Sequence, residues 1–168
     1  MKKAERYPCH IWGMADAGEA YGAFRGDLVK DYGEDTCLGD GTLLHENYMW
    51  DEGGRCLLRC RDCGGLVLRQ SSEFHSSFGD DGDGYYKDWI PVSSAREADL
   101  LNILWEALEA ESCPFRCLRK NNSRVSWTGG GEPRPCDPEE LERRIREKYP
   151  EADREALEEM IRKAGEEK

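Results

Sequence analysis

The spacing of apolar residues changes period along the chain, and each period predicts a different kind of element. Residues 45–50, 55–60 and 66–75 are strand-length runs of mixed apolar and polar positions. Turn-forming stretches separate them, Asp51-Glu52-Gly53-Gly54 and then Asp62-Cys63-Gly64-Gly65. This predicts an antiparallel meander. In the third run Leu66, Leu68 and Phe74 share one face, and Val67, Arg69, Glu73 and His75 share the other. Residues 85–92 predict a fourth strand, with Pro91 placing it at an edge or at the strand's end. The period then lengthens. Ser94 and Glu97 form a capping box, and Leu101, Leu104, Trp105 and Leu108 recur at helical spacing. A helix over 94–109 that packs on the sheet is expected. Residues 115–120 and 124–128 pair across Asn121-Asn122-Ser123 as a second hairpin.

Before and after this block the pattern is thinner. Near the N-terminus glycine recurs at Gly18, Gly22 and Gly26, with Ala20, Phe24 and Leu28 on another stripe. A glycine-lined helix fits, and a compact loop fits nearly as well. Asp31-Tyr32-Gly33 breaks any such helix. Residues 129–136 read as a Gly/Pro linker. Asp137 then caps a helix with Pro138 at its first position, and a second helix covers 151–164. Their stripes, Leu141 with Ile145 and then Ala156, Leu157, Met160 and Ile161, cannot hold a free helical hairpin together. The fold class expected is α+β: a mainly antiparallel sheet with a zinc-knuckle-like hairpin turn, one covering helix and a two-helix tail. The expected organisation is a core domain over 1–128, the linker over 129–136 and the helical tail over 137–168.

Composition narrows the partners. The chain of 168 residues carries a net charge of −11, with 35% charged and 38% hydrophobic residues. That charge repels a phosphate backbone, and no basic cluster stands clear of glutamates, so nucleic acid is not an expected partner. A basic protein is the natural complement. The apolar runs are too short to span a membrane. No apolar leader follows Met1, so a cytoplasmic location is expected.

Eight cysteines in a reducing compartment point to metal or redox chemistry before disulfides. The sharpest signal is Cys60-Arg61-Asp62-Cys63-Gly64-Gly65, a CxxC on a tight turn. Two thiolates there can grip one metal ion, and the glycines let the backbone fold beneath it. Four ligands make a structural zinc site. Cys113 and Cys117, which start the second hairpin, are the favoured other pair, and Cys9, His10, Cys37, His45 and Cys56 are the alternatives. A thioredoxin-type reading fits poorly, because Gly-Gly and β-prone residues follow Cys63 where that chemistry needs a helix.

No catalytic motif of the P-loop, GxSxG, HExxH or dinucleotide type occurs. Glu73 and His75 share a strand face and are the candidates for a small metal-dependent, hydrolase-like enzyme. Asp80, Asp81 and Asp83, next to Tyr85, Tyr86 and Trp89, form the candidate partner-binding patch, since aromatics dominate interface hot spots. The acidic loop fails the calcium-loop spacing because Tyr85 stands where a carboxylate is needed.

Two segments carry a resemblance. Cys9-His10-Ile11-Trp12 leads into Ala15-Asp16-Ala17-Gly18-Glu19-Ala20 and Phe24, and Cys60-Arg61-Asp62-Cys63-Gly64 follows in the same order. Together they resemble the CbrC-type colicin-tolerance family of bacterial proteins. The family's first motif has a CxxC where this chain has Cys9 followed directly by His10. The resemblance implies a Cys-rich bacterial protein linked to toxin tolerance. The expected function is therefore a non-enzymatic protein-binding module of the toxin-immunity or antitoxin kind with a structural zinc. The metal-dependent enzyme at Glu73 and His75 is the alternative.

Overall fold

The computed structural model describes residues 9–33, 35–38, 41–46, 54–74, 84–104, 116–129 and 137–166. The fold is α+β. A short 3-10 helix (His10–Gly13) and α1 (Ala17–Ala23) precede strands β1 (Gly26–Gly33), β2 (Asp35–Cys37), β3 (Leu43–Glu46), β4 (Gly54–Cys60), β5 (Leu66–Phe74) and β6 (Gly84–Val92). Then come α2 (Ala95–Leu104), β7 (Arg116–Asn121), β8 (Arg124–Gly129), α3 (Pro138–Lys148) and α4 (Arg154–Lys163). Six strands form one antiparallel sheet in the order β1-β4-β5-β6-β7-β8, and β2 and β3 pair separately.

The register sorts the side chains into two layers. Leu57 lies opposite Leu68, and Leu68 opposite Ile90. That row shares a core with Cys117 and with the apolar stripes of α2, α3 and α4, namely Leu100, Leu101, Leu141, Ile145, Leu157 and Ile161. One residue out of phase, Cys60, Val67, Trp89 and Leu118 face the opposite side, where Ile11, Trp12, Ala17 and Ala20 cover them. The sheet thus has a helix-covered face and a face covered by the N-terminal segment.

Local chemistry explains the helices. Ser94 Oγ accepts from Glu97 N–H at 3.1 Å. The buried Glu97 carboxylate reaches back to Ser93, N–H at 2.5 Å and hydroxyl at 2.6 Å. Asp137 and Asp153 cap α3 and α4, accepting from Glu139 N–H and Ala156 N–H. The two tail helices dock on their own body. Arg96 of α2 donates to the carbonyls of Ile161 and Ala164 at the end of α4. Asp99 of α2 accepts from Lys30 Nζ, Tyr32 hydroxyl and Gly165 N–H. Of the expected linker, Gly129 ends β8, and residues 130–136 lie outside the described residues.

One expectation is corrected. The second neighbour of β4 is β1, and not the run at 45–50. The part of that run described belongs to β3, which pairs with β2. The glycine stripe splits accordingly: α1 ends at Ala23 and Gly26 opens β1. A Cβ at Gly26 would lie 2.8 Å from the Phe24 ring and 3.1 Å from Leu58 Cβ, so a side chain there would have to displace the Phe24 ring and press on Leu58 across the β1–β4 pair. The pairing steps from Leu28↔Leu58 to Lys30↔Leu57, which leaves Val29 as an extra residue, and the same happens at Tyr32. These bulges break the alternation that would have marked a strand, and they bring Lys30 and Tyr32 within reach of Asp99. Pro91 pairs with Val67 on the β5 side and lies beyond the last β6–β7 pair, Trp89↔Leu118. It therefore costs the β7 ladder no donor.

Candidate metal centre

Cys60 is the last residue of β4, and its side chain faces the N-terminal layer. The chain then turns. Cys60 N–H donates to Gly65 O at 2.8 Å, and Gly64 N–H donates to Cys60 O at 2.9 Å. Gly64 has φ +74°, a left-handed conformation that glycine adopts without a Cβ penalty. Arg61 N–H donates to Arg25 O at 2.7 Å, fixing the turn to the start of β1. The turn carries Cys63 on its exposed side, with the Gly65 N–H aimed at Cys63 Sγ at 3.4 Å.

The opposing side comes from Cys9 and His10. Cys9 is extended (φ −147°, ψ 147°), and the 3-10 helix begins at His10. Two buried side chains hold this segment down. Ile11 and Trp12 are fully enclosed, and the Trp12 ring lies 5.7 Å from that of Trp127. Trp127 Nε1 donates to Ala15 O at 3.0 Å, and Arg116 donates to Met14 O at 3.3 Å while its guanidinium stacks 3.6 Å over the Trp127 ring. Anchored in this way, the segment delivers two adjacent ligand candidates to the β4–β5 turn.

Cys9, His10, Cys60 and Cys63 converge, each offering one ligand atom, with all four atoms within 4.8 Å of one another. His10 Nδ1 lies 3.6 Å from Cys9 Sγ, 3.4 Å from Cys63 Sγ and 3.8 Å from Cys60 Sγ. Cys63 Sγ lies 3.5 Å from Cys9 Sγ. The thiols are free, with no disulfide among the described residues. This arrangement can hold a metal ion.

The electrostatics divide the thiols. At Cys63 burial acts against ionisation, but hydrogen bonds from the His10 backbone and ring, from Gly65 N–H and from Cys9 outweigh it, and the thiol is pulled down to about 6. Burial pushes Cys9 strongly the other way, helped by Cys63 and Cys60 and opposed by a backbone hydrogen bond at Ile11. A cation at the centre would reverse the penalty at Cys9, because it is the largest local charge and favours every thiolate around it.

The structure distributes the expected site residues unevenly. Cys60 and Cys63 are in the group, and they are joined by Cys9 and His10 from among the alternatives. Cys117 lies on β7, fully buried on the helix-covered face, away from the group. Cys113 lies outside the described residues. Cys37 is exposed at the end of β2, and Cys56 is buried on β4, where burial raises its thiol against the opposing charge of Arg69. His45 lies on β3. The signal for the missing pair was present in Cys9-His10-Ile11-Trp12: two donors directly followed by two residues that need burial.

The expected partner patch is divided too. Tyr85 is 55% exposed, whereas Trp89 is 6% exposed and packs edge-on against Tyr21. Tyr86 belongs to the other face, where the Arg119 guanidinium lies 5.1 Å from its ring. Asp80, Asp81 and Asp83 lie outside the described residues. Glu73 is on β5 opposite Tyr85, and His75 lies outside the described residues. Comparison with protein-family models, with curated proteins and with solved structures finds no match. Among the described residues no helix is long and apolar enough to cross a membrane.

Proposed function

We propose that the chain is a non-enzymatic protein-binding module in which Cys9, His10, Cys60 and Cys63 hold one structural zinc ion. The convergence of these four donors carries the reading. Zinc takes sulfur at about 2.3 Å and nitrogen at about 2.0–2.1 Å in a tetrahedron. Those bond lengths imply S···S edges of about 3.8 Å and N···S edges of about 3.6 Å. The observed S···S distance of 3.5 Å and N···S distances of 3.4, 3.6 and 3.8 Å fit that frame. Three soft thiolates and an imidazole suit zinc better than hard cations, which prefer oxygen.

Four protein donors leave a tetrahedral ion no open position, so the ion serves the fold. When bound, zinc supplies a cross-link between the N-terminal segment and the β4–β5 turn. The residues of this chain do the remainder: Ile11 and Trp12 seat the segment, and Gly64 and Gly65 shape the turn. The net charge of −11 supports a basic protein partner, of which a toxin neutralised in a bacterial cytoplasm is the form we favour.

Metal content of protein purified without added metal tests the first half. One zinc per chain is expected for wild type and none for Cys60→Ser, while metal-free, well-folded wild type would overturn it. Association with a basic toxin encoded beside the gene, weakening as salt rises, tests the second half. A chain that neither binds nor protects against such a toxin would remove the immunity reading and leave the zinc site standing.

A further inference from the structure

The three thiols of the group differ in access, and that difference gives one of them a chemistry of its own. Cys9 and Cys60 are 2% and 1% exposed, whereas Cys63 sits on the solvent side of the turn. The Cys63 sulfur also has a thiol close by in the other segment: Cys9 Sγ, 3.5 Å away and 54 positions earlier in the chain. A disulfide needs its sulfurs at about 2.05 Å, so side-chain rotation over roughly 1.5 Å would close the pair. Cys60 is anchored by its backbone at the end of β4 and lies on the same turn as Cys63. A Cys60–Cys63 bridge would close a loop within one turn and tie nothing else.

We propose that Cys63 is a modification site for hydroperoxides and that Cys9 is its resolving thiol, so that oxidation replaces the metal tie by a disulfide between the same two segments. The inference rests on the zinc reading above. In the first step the Cys63 sulfur attacks the distal peroxide oxygen. The O–O bond breaks, hydroxide leaves and takes up a proton, and Cys63 becomes a sulfenic acid. In the second step the Cys9 sulfur attacks the Cys63 sulfur, the S–O bond breaks and a second hydroxide leaves as water. Two thiolates lose two electrons to one peroxide, two protons are consumed, and two waters form. The ion then keeps only Cys60 and His10 as ligands and dissociates. The N-terminal segment stays tied to the β4–β5 turn, now covalently, so the metal leaves without uncovering Trp12, Val67 and Leu118.

The test uses the zinc-loaded full chain and hydrogen peroxide, with zinc release followed by a chromogenic chelator and disulfides mapped by non-reducing digestion. The exposed Cys37 reports that oxidant reached the protein. The expected result is one zinc released per chain, with a peptide joining Cys9 to Cys63 beside the oxidised Cys37. Zinc binding should return after dithiothreitol, and the tryptophan environment should survive oxidation. Zinc retained while Cys37 is oxidised, or a Cys60–Cys63 bridge in place of Cys9–Cys63, would overturn the inference and leave the zinc reading intact. A chain that never holds zinc would overturn the zinc reading and the inference together.

Discussion

The two faces of the sheet are covered by very different means. On one, α2, α3 and α4 bring long apolar stripes down onto Leu57, Leu68, Ile90 and Val92, and the core is continuous. On the other, a single 3-10 turn and the seven-residue α1 cover Cys60, Val67, Trp89 and Leu118. A helix that short has no stability of its own in water. The N-terminal layer compensates with Trp–Trp and Arg–Trp stacking and with the four-donor group. A broad layer can rest on apolar burial alone, whereas a thin one needs a cross-link. With zinc held there as proposed, metal removal should act on one face and leave the other.

The largest expected effect follows directly. Chelating the metal, or replacing Cys60 by Ser, should loosen the N-terminal layer without detaching it and change the fluorescence of Trp12, Trp89 and Trp127, with most far-UV circular dichroism retained. Structural zinc contributes roughly 10–16 kcal/mol of apparent binding energy in small zinc domains, far more than one side chain supplies. Collapse of the whole spectrum on chelation would mean that the two faces are one cooperative unit. In contrast, Ile145→Ala opens a cavity in the helix-covered core and should cost about 2–5 kcal/mol in denaturant unfolding. Its zinc content should equal that of wild type, and loss of metal in this variant would again break the separation.

A third effect, smaller and confined to the helix-covered side, depends on pH. Burial and the hydrogen bond to Asp99 push the Tyr32 phenol far above its ordinary value of 10.0. A raised folded-state value favours the protonated form in the native protein. The stability it carries is therefore complete below pH 10.0 and shrinks as pH climbs above it, where the unfolded chain ionises and the folded one does not. Urea unfolding on either side of pH 10.0 should show wild type losing more than Tyr32→Phe. Equal losses would show that Tyr32 ionises freely.

How much of this could be read in advance also divides by face. The helix-covered side was legible because burial there follows a period: alternation along β5, and three- and four-residue spacing at Leu101 and Leu104, Leu141 and Ile145, Leu157 and Ile161. The Asp137 cap and the Ser94–Glu97 box marked where helices begin. β1 was not legible. It is an edge strand with Leu28 63% exposed and with bulges at Val29 and Tyr32, so no periodic apolar face exists to be seen. The CxxC turn announced half of the four-donor group, but the other half depends on sheet parity. Cys117 and Cys60 lie on opposite faces, and only the β4–β5–β6–β7 register decides that. Spacing within the second hairpin carries no such information. Cys9 and His10 reach the group because Ile11 and Trp12 are buried against that face, a tertiary fact that a local motif does not state.

The smallest effect sharpens the contrast most, because it weakens the thin layer without touching a ligand. Arg116 stacks its guanidinium 3.6 Å over Trp127 and donates to Met14 O, linking β7 to the N-terminal segment. A cation–π contact is worth about 0.5–2 kcal/mol depending on its exposure, so for the half-buried Arg116 and Trp127 Arg116→Ala should cost on the order of 1 kcal/mol. If the metal holds the layer, that cost should be nearly invisible in the zinc-loaded protein, where the segment is already cross-linked close to Ile11 and Trp12. It should emerge in full once zinc is removed, as faster amide exchange at Ile11 and Met14 in the variant than in metal-free wild type. An equal penalty with and without zinc would place the stability of this face in its aromatic stack, and the metal would then be an addition to a layer that already holds.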